Sequence, residues 1–350
     1  MKPVKQPLMP EPKLRRTRRR GTVLVVALWT LSLLSVFAVY LGLSIQSKMT
    51  LHSRLENRSQ LQYLTEAGVK MAVVFLNNDV LINKNTFTAE AKTARTNNPE
   101  RFSSIELPEG RVEIGYPGAE GGQKFYGMTD EESKIDINDV EVDVLKKLFA
   151  LVLGVKEAQA DDLARAVVDW RERNPEISAG LFTDEHYASL KFPYFPKHAP
   201  FDVLEELSLV KGFIPRYVDQ LRPFITIYSK GMVNFNTASA TTLLALCFRP
   251  EFVEEFIKIR RGQDEVEATA DDVVFADPET LDVDLQRFIP TIEGHDLFII
   301  GELKKKRKLA ADSSVYRIEA QGQLNNQQEK KRITCVFNIL HSKIVYYREN

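Results

Sequence analysis

The chain has 350 residues, 44% of them hydrophobic, and a formal net charge of −1. The near-zero charge hides an asymmetry: residues 1–21 hold eight Lys or Arg against one Glu, so residues 22–350 carry −8. An acidic remainder disfavours nucleic-acid binding, where phosphate contact needs Lys and Arg. There is no P-loop, nucleophile elbow, CxxC or HExxH, and His52, His186, His198, His295 and His341 follow no metal spacing, so nothing points to an enzyme.

Residues 1–21, rich in Pro, Lys and Arg, read as a leader that does not pack. Residues 22–47 carry no charge over 26 positions. As a helix this run would reach roughly 39 Å, enough to cross a hydrocarbon core of about 30 Å. RRTRRRG precedes it, and Lys48, His52 and Arg54 follow. Basic residues upstream of an apolar span stay cytoplasmic, which sends the bulk of the chain to the opposite face. A cleaved secretory signal would have a shorter apolar core, about 7–15 residues. A plain signal anchor is one reading. The other uses Gly21, where a type IV prepilin peptidase would cut and leave Thr22 as the first residue of an intact membrane helix.

Helical patterning continues beyond the apolar run. Leu51, Leu55, Leu61, Leu64, Gly68, Met71, Ala72 and Phe75 recur at helical spacing between charged residues. The pattern predicts one helix of about 55 residues, apolar all round in its first half and amphipathic in its second. Residues 77–98 read as a polar loop. RVEIGYP, the turn GAEGG and QKFYGMTD form a hairpin candidate, and SKIDIND closes that unit. From residue 140 to 288 the period is helical, with Gly154, Pro175, Gly180, Pro193, Pro196 and Pro200 as punctuation. SVYRIEAQGQL, the polar turn NNQQE and KRITCVFNIL make a second hairpin, to which KIVYY adds an edge. Cys247 falls in a helical region and Cys335 in a strand pattern; an oxidising compartment would permit a disulfide, and two buried thiols are the alternative.

The expected fold class is α+β: a long N-terminal helix on an antiparallel sheet, with an all-helical insertion between the strands. The expected parts are a leader (1–21), a transmembrane segment (22–47), a first αβ part (48–139), a helical insertion (140–288) and C-terminal strands (289–350).

Several stretches occur in one order: RRRGTVLVVALWTLSLLS, TEAGVKMAVVFL, KIDIN, ARAVVDWRE, FDVLEELSLVKGF, LRPFITIY, VNFNTAS and VYRIEAQG. In this the chain resembles the type II secretion system protein K family, the large minor pseudopilins. The resemblance implies a pilin-like domain with a SAM-like or helix-hairpin-helix-like insertion. It also implies cleavage after Gly21 by a prepilin peptidase and N-methylation of Thr22. A single-pass bacterial inner-membrane protein would result, with its C-terminal domain in the periplasm. Its partners would be other minor pseudopilins at the tip of a short filament that exports folded proteins. Pilins usually carry Glu at the fifth mature position. Here that position is Val26, as in other protein K sequences. An unpaired carboxylate in lipid is costly, and a leading subunit has none ahead of it to supply an amine.

VNFNTASATTLLAL also resembles the first half of a helix-hairpin-helix unit, as in membrane-anchored DNA receptors of competence. Phosphate recognition there uses a Gly-rich hairpin and free amides at a helix N-terminus. The hairpin here reads CFRPE, without glycine, and Glu251, Glu254 and Glu255 follow. No nucleic-acid partner is expected. Asp169, Asp184 and Glu185 are candidate calcium ligands, since calcium needs several oxygens in one loop. The family's DW-x-D-x-D pattern becomes DWRERN here, which removes acids from that loop.

Overall fold

The computed structural model describes residues 20–82, 89–118, 124–172, 183–290, 292–325 and 327–350. Residues 1–19 of the leader, 119–122 of the GAEGG turn, Pro175, Gly180 and Asn326 lie outside them. The chain forms two compact units, residues 1–59 and 60–350.

Helix α1 spans Arg20–Ile82 and gives its residues up to Ser59 to the first unit. In the second unit it supplies Leu61, Leu64, Val69, Ala72 and Leu76, all buried, to one hydrophobic core. The helix extends past the predicted end of its pattern, and α2 (Ala89–Thr96) and α3 (Pro99–Phe102) follow. Much of the stretch expected to be a polar loop is thus helical. The reason lies in α2, whose buried face includes Lys92 and Arg95. Lys92 Nζ meets Asp272 at 2.8 Å, and Arg95 meets Asp79 at 2.5 Å and Asp312 at 2.9 Å. A face that buries through ion pairs looks solvated in a hydropathy reading.

Strands β1 (Ile105–Leu107), β2 (Gly110–Ile114), β3 (Tyr116–Pro117), β4 (Lys124–Phe125), β5 (Thr129–Asp130) and β6 (Ile135–Asp136) come next. The expected hairpin is only the short β3–β4 pair, Tyr116 opposite Phe125. Beyond β6 the chain makes two helical excursions. The first holds α4 (Val142–Leu153), α5 (Glu157–Arg171), α6 (Thr183–Ala188) and α7 (Pro215–Leu221). Gly154, at φ 64°, turns the chain out of α4 in the left-handed conformation that glycine adopts without a Cβ penalty. This excursion ends at β7 (Ile225–Thr226), which pairs in parallel with β6. The second starts at β8 (Val233–Asn234) and holds α8 (Ala240–Ala245), α9 (Pro250–Arg260), α10 (Leu281–Phe288) and α11 (Gly294–Lys305). It ends at β9 (Leu309–Ala310), parallel to β8. Helix therefore continues past residue 288, where strands were expected.

Each excursion has its own core. Leu148, Phe149, Val167, Trp170 and Leu207 belong to the first, and Phe235, Phe252, Phe256, Phe275 and Ile300 to the second.

Strands β10 (Val315–Leu324), β11 (Lys330–Asn338) and β12 (Lys343–Glu349) complete the main sheet, in the order β1-β2-β10-β11-β12, with β5 beside β10. The neighbours are antiparallel, with Ile318 opposite Cys335 and Ala320 opposite Ile333. Tyr316, Ile318 and Ala320 alternate into the core shared with α1. Cys335 is buried in that core, Cys247 follows α8, and both are free thiols, so the disulfide option is not realised.

The helix lies close on the sheet. A Cβ on Gly322 would come within 2.2 Å of Thr65 Oγ1, and one on Gly68 within 2.4 Å of Val112 Cγ1. Gly322→Val is expected to lower stability by about 1–3 kcal/mol through overpacking. Gly301→Ala, where a Cβ meets nothing within 4 Å, should raise helix stability by up to about 1 kcal/mol. Denaturant unfolding of the full chain in detergent checks both.

Candidate functional site

Two features set this chain apart chemically: the start of α1 and a buried polar joint. Gly21 and Thr22 lie in the first turn of α1 and are exposed. Val26 is 62% exposed, as are the apolar side chains around it in similar measure. Among the described residues α1 is the one helix long and apolar enough to cross a membrane, which fits a transmembrane anchor.

The joint is built from residues 129–136. Strand β5 pairs with the start of β10 at Tyr316 and Arg317, and a single 3-10 turn (Glu131–Ser133) follows. Asp130 caps that turn by accepting from the Glu132 amide at 2.7 Å. Its other oxygen accepts from Ser313 Oγ at 2.5 Å, Thr237 Oγ1 at 2.5 Å and Asn234 Nδ2 at 3.1 Å. Glu131 accepts from Arg317 Nε at 2.5 Å, Lys134 Nζ at 2.9 Å and Thr226 Oγ1 at 2.6 Å. Glu132 accepts from the Ser314 amide at 3.0 Å and its hydroxyl at 2.9 Å. Asp136 accepts from the amides of Asn138 and Gly231 at 2.9 and 3.2 Å. Three consecutive acids, all buried, thereby tie β5 to β7, β8 and β10. A buried carboxylate is tolerated only when paired and hydrogen-bonded, and these oxygens all receive donors. The arrangement is a rivet between the sheet and the two helical excursions. The sequence reading missed it, taking SKIDIND as a closing strand; the run of three acids before Ser133, in a strand-like stretch, was the available signal.

Burial pushes Glu131 up, but the charges of Lys134 and Arg317 and their hydrogen bonds outweigh it and hold its carboxyl near 2. Burial raises Asp130 against four hydrogen bonds. Glu132 is pushed up to about 7 by burial and by the charge of Asp130, against the Ser314 bonds.

The calcium candidates are placed apart in kind. Asp169 is buried in α5, and its carbonyl lies 3.0 Å from His198 Nδ1. Glu185 is exposed on α6, and the side chain of Asp184 lies outside the described residues. Among the described residues no group of three or more His, Cys, Asp or Glu is arranged to hold a metal ion.

Helices α8 and α9 form the hairpin unit. At its turn the Arg249 amide donates to Asp296 Oδ1 at 3.1 Å, and Arg249 Nε donates to Oδ2 at 2.8 Å. Asp296 is fully buried. Its carboxylate occupies the N-terminal end of α9, where a phosphate would have to bind.

Residues 128–230, from the joint through the first excursion to just past β7, match the family model described as type II secretion system (T2SS), protein K. Over these residues the chain is similar to the type II secretion system protein K family. Its fold is similar to a chain of the crystal structure of the GspK-GspI-GspJ complex from the enterotoxigenic Escherichia coli Type 2 Secretion System. The TM-score is 0.60 at 16% identity, covering 84% of this chain and 97% of that one. No curated protein matches it in sequence. The long helix, antiparallel sheet and helical insertion are those of an α+β pseudopilin-like fold.

The joint sets two expectations. Glu132 has an ordinary value of 4.5 and a folded value of about 7. The fold therefore favours its neutral form, and that contribution is complete below about 4.5 and lost as pH rises through about 7. The Tm advantage of Glu132→Gln over wild type should grow between those values and level off above them, in thermal melts at constant ionic strength. Arg317→Met leaves Glu131 buried with one cation fewer. It should cost about 3–5 kcal/mol, read as a lowered denaturation midpoint.

Proposed function

We propose that this chain is a minor pseudopilin that stands at the tip of a type II secretion filament and helps to initiate its assembly for export of folded proteins. The observation that carries the reading is the protein K segment seated on a pilin-like helix and sheet, behind an apolar α1 with Gly21 at its start. In this reading a prepilin peptidase cuts after Gly21, Thr22 is N-methylated, and residues 48–350 lie in the periplasm. Val26 supports the leading position, since a subunit with none ahead of it gains nothing from a buried acid. The partners are other minor pseudopilins, the kind of assembly in which the structurally similar chain was crystallised.

The test is the N-terminal sequence and mass of the protein with and without a co-expressed prepilin peptidase. A methylated Thr22 start that depends on the peptidase is expected. A chain left uncut at Gly21 by its own peptidase would sink the proposal and leave a plain membrane-anchored protein. Co-purification with the other minor pseudopilins of the same system should survive detergent extraction and fall when residues 22–47 are replaced by an unrelated apolar helical segment.

A further inference from the structure

Strand β12 ends the main sheet and pairs with β11 on one side. Among the described residues no strand pairs with its other side. Six of its seven residues are exposed, as a strand covered along its edge would not be. Just past its end, Arg332 and Asn350 exchange both main-chain hydrogen bonds, at 3.4 and 2.9 Å. In an antiparallel ladder such pairs alternate with non-bonded ones. The next bonded pairs are therefore Thr334 with Arg348 and Val336 with Tyr346. Tyr347 and Glu349, opposite Cys335 and Ile333, turn their amides and carbonyls away from the sheet. The register shifts between Val336 and Phe337, and Val345 is left over as a bulge that ends this regular run.

The edge comes with apolar surface and with charge. Leu340, Ile344, Val345 and Tyr347 are exposed along the β11–β12 hairpin. Residues 330–350 hold five Lys or Arg and one Glu, a sum of +4, although residues 22–350 carry −8. Two of these cations are already paired: Lys331 meets Glu349 at 2.6 Å, and Arg348 meets Glu205 at 3.3 Å. Lys330, Arg332 and Lys343 are exposed and have no ion pair among the described residues. Lys343 begins β12, and Arg332 lies opposite Asn350 beyond its other end. A free cation therefore stands at each end of the open edge.

We propose that the open edge of β12 takes an extended strand of another protein chain, one with acidic side chains at its ends. Extended backbone supplies donors and acceptors at the spacing that Tyr347 and Glu349 present, and an open edge is a template for such a strand. Arg332 and Lys343 then select acids at the two ends of the added strand. A second copy of β12 fits less well, since it brings the same excess of cations against this one. The inference rests on the sheet edge alone and depends neither on cleavage at Gly21 nor on a place in a filament.

The probes are two fluorescent peptides, EVTVTVE and KVTVTVK, titrated with the full chain in uncharged detergent at low salt and followed by anisotropy. EVTVTVE should bind about tenfold more tightly than KVTVTVK. Tyr347→Pro removes an outward amide and no bond to β11, a place where an edge strand accepts proline. It should weaken EVTVTVE binding by about tenfold, because a peptide carbonyl loses its donor. The double variant Arg332→Glu/Lys343→Glu, at two exposed positions, should reverse the preference toward KVTVTVK, and it decides the matter if the proline variant does not fold. Wild type should sediment as a monomer. No binding of EVTVTVE at about 1 mM overturns the proposal, and so does binding indifferent to the charge reversal. A wild-type dimer that Tyr347→Pro dissociates also overturns it and gives the edge to a second copy.

Discussion

The Glu131 carboxylate is the contact on which the second unit turns. It is fully buried, and it receives Arg317 from β10, Lys134 from its own turn and Thr226 from β7. Removing either cation leaves charge in a low-dielectric interior, and replacing the whole set with apolar groups would lose the directionality that fixes β7 against β10. Asp130 and Glu132, on either side, extend the same logic to Asn234, Thr237, Ser313 and Ser314. Three successive side chains can reach three directions because Asp130 ends β5 and the 3-10 turn that begins at Glu131 rotates each of its residues by about a third of a circle. A strand would have sent them alternately to two faces.

What could be read from the sequence is what hydrophobic period encodes. The α1 pattern and the β10–β11 alternation are clear because their buried faces are apolar, and the elements lie where the pattern puts them. Three features escaped, two because polar contacts carry them and one because its elements are too short. The Lys92 and Arg95 face of α2 reads as solvent-facing until Asp272, Asp79 and Asp312 are in place. Strands of two residues, such as β6 and β7, are too short for any period to register. Helix α11 starts after Pro290 with Glu293, Gly294 and His295, a poor cap sequence, and is fixed by Asp296 bonding to Arg249 across the core. Gly21, Thr22 and Val26 stand where charge and hydropathy change abruptly in the sequence. The acidic joint was not legible, since its meaning depends on partners about 90 to 185 residues away in sequence.

The hairpin of α8 and α9 shows how a shared shape can serve a different chemistry. The N-terminus of α9 carries the partial positive charge and free amide that attract an anion in any such unit. In this chain an internal anion, Asp296, is already there, with Arg249 completing the pair. Glu251 in the first turn adds negative charge at the approach. The unit thus uses the electrostatics of phosphate binding to fasten α11, which makes it a packing element of the second core.

The two excursions are built alike, and this bears on how a pilin-like sheet can carry so large an addition. Each leaves from a two-residue strand and returns to one in parallel with it, Ile135 opposite Ile225 and Val233 opposite Leu309. A parallel return needs a crossover, and each crossover here has been expanded into a helical body with its own core. Because exit and return are adjacent, the sheet sees only a short bridge, and loop-closure entropy grows slowly with the length between. The sheet core with α1 can then keep its packing whatever the excursions contain, provided the bridges hold. Both bridges hold through the joint: Thr226 of β7 bonds Glu131, and Asn234 of β8 bonds Asp130. The acids at 130 and 131 therefore sit where they must, at the one turn from which both bridges and β10 are within reach.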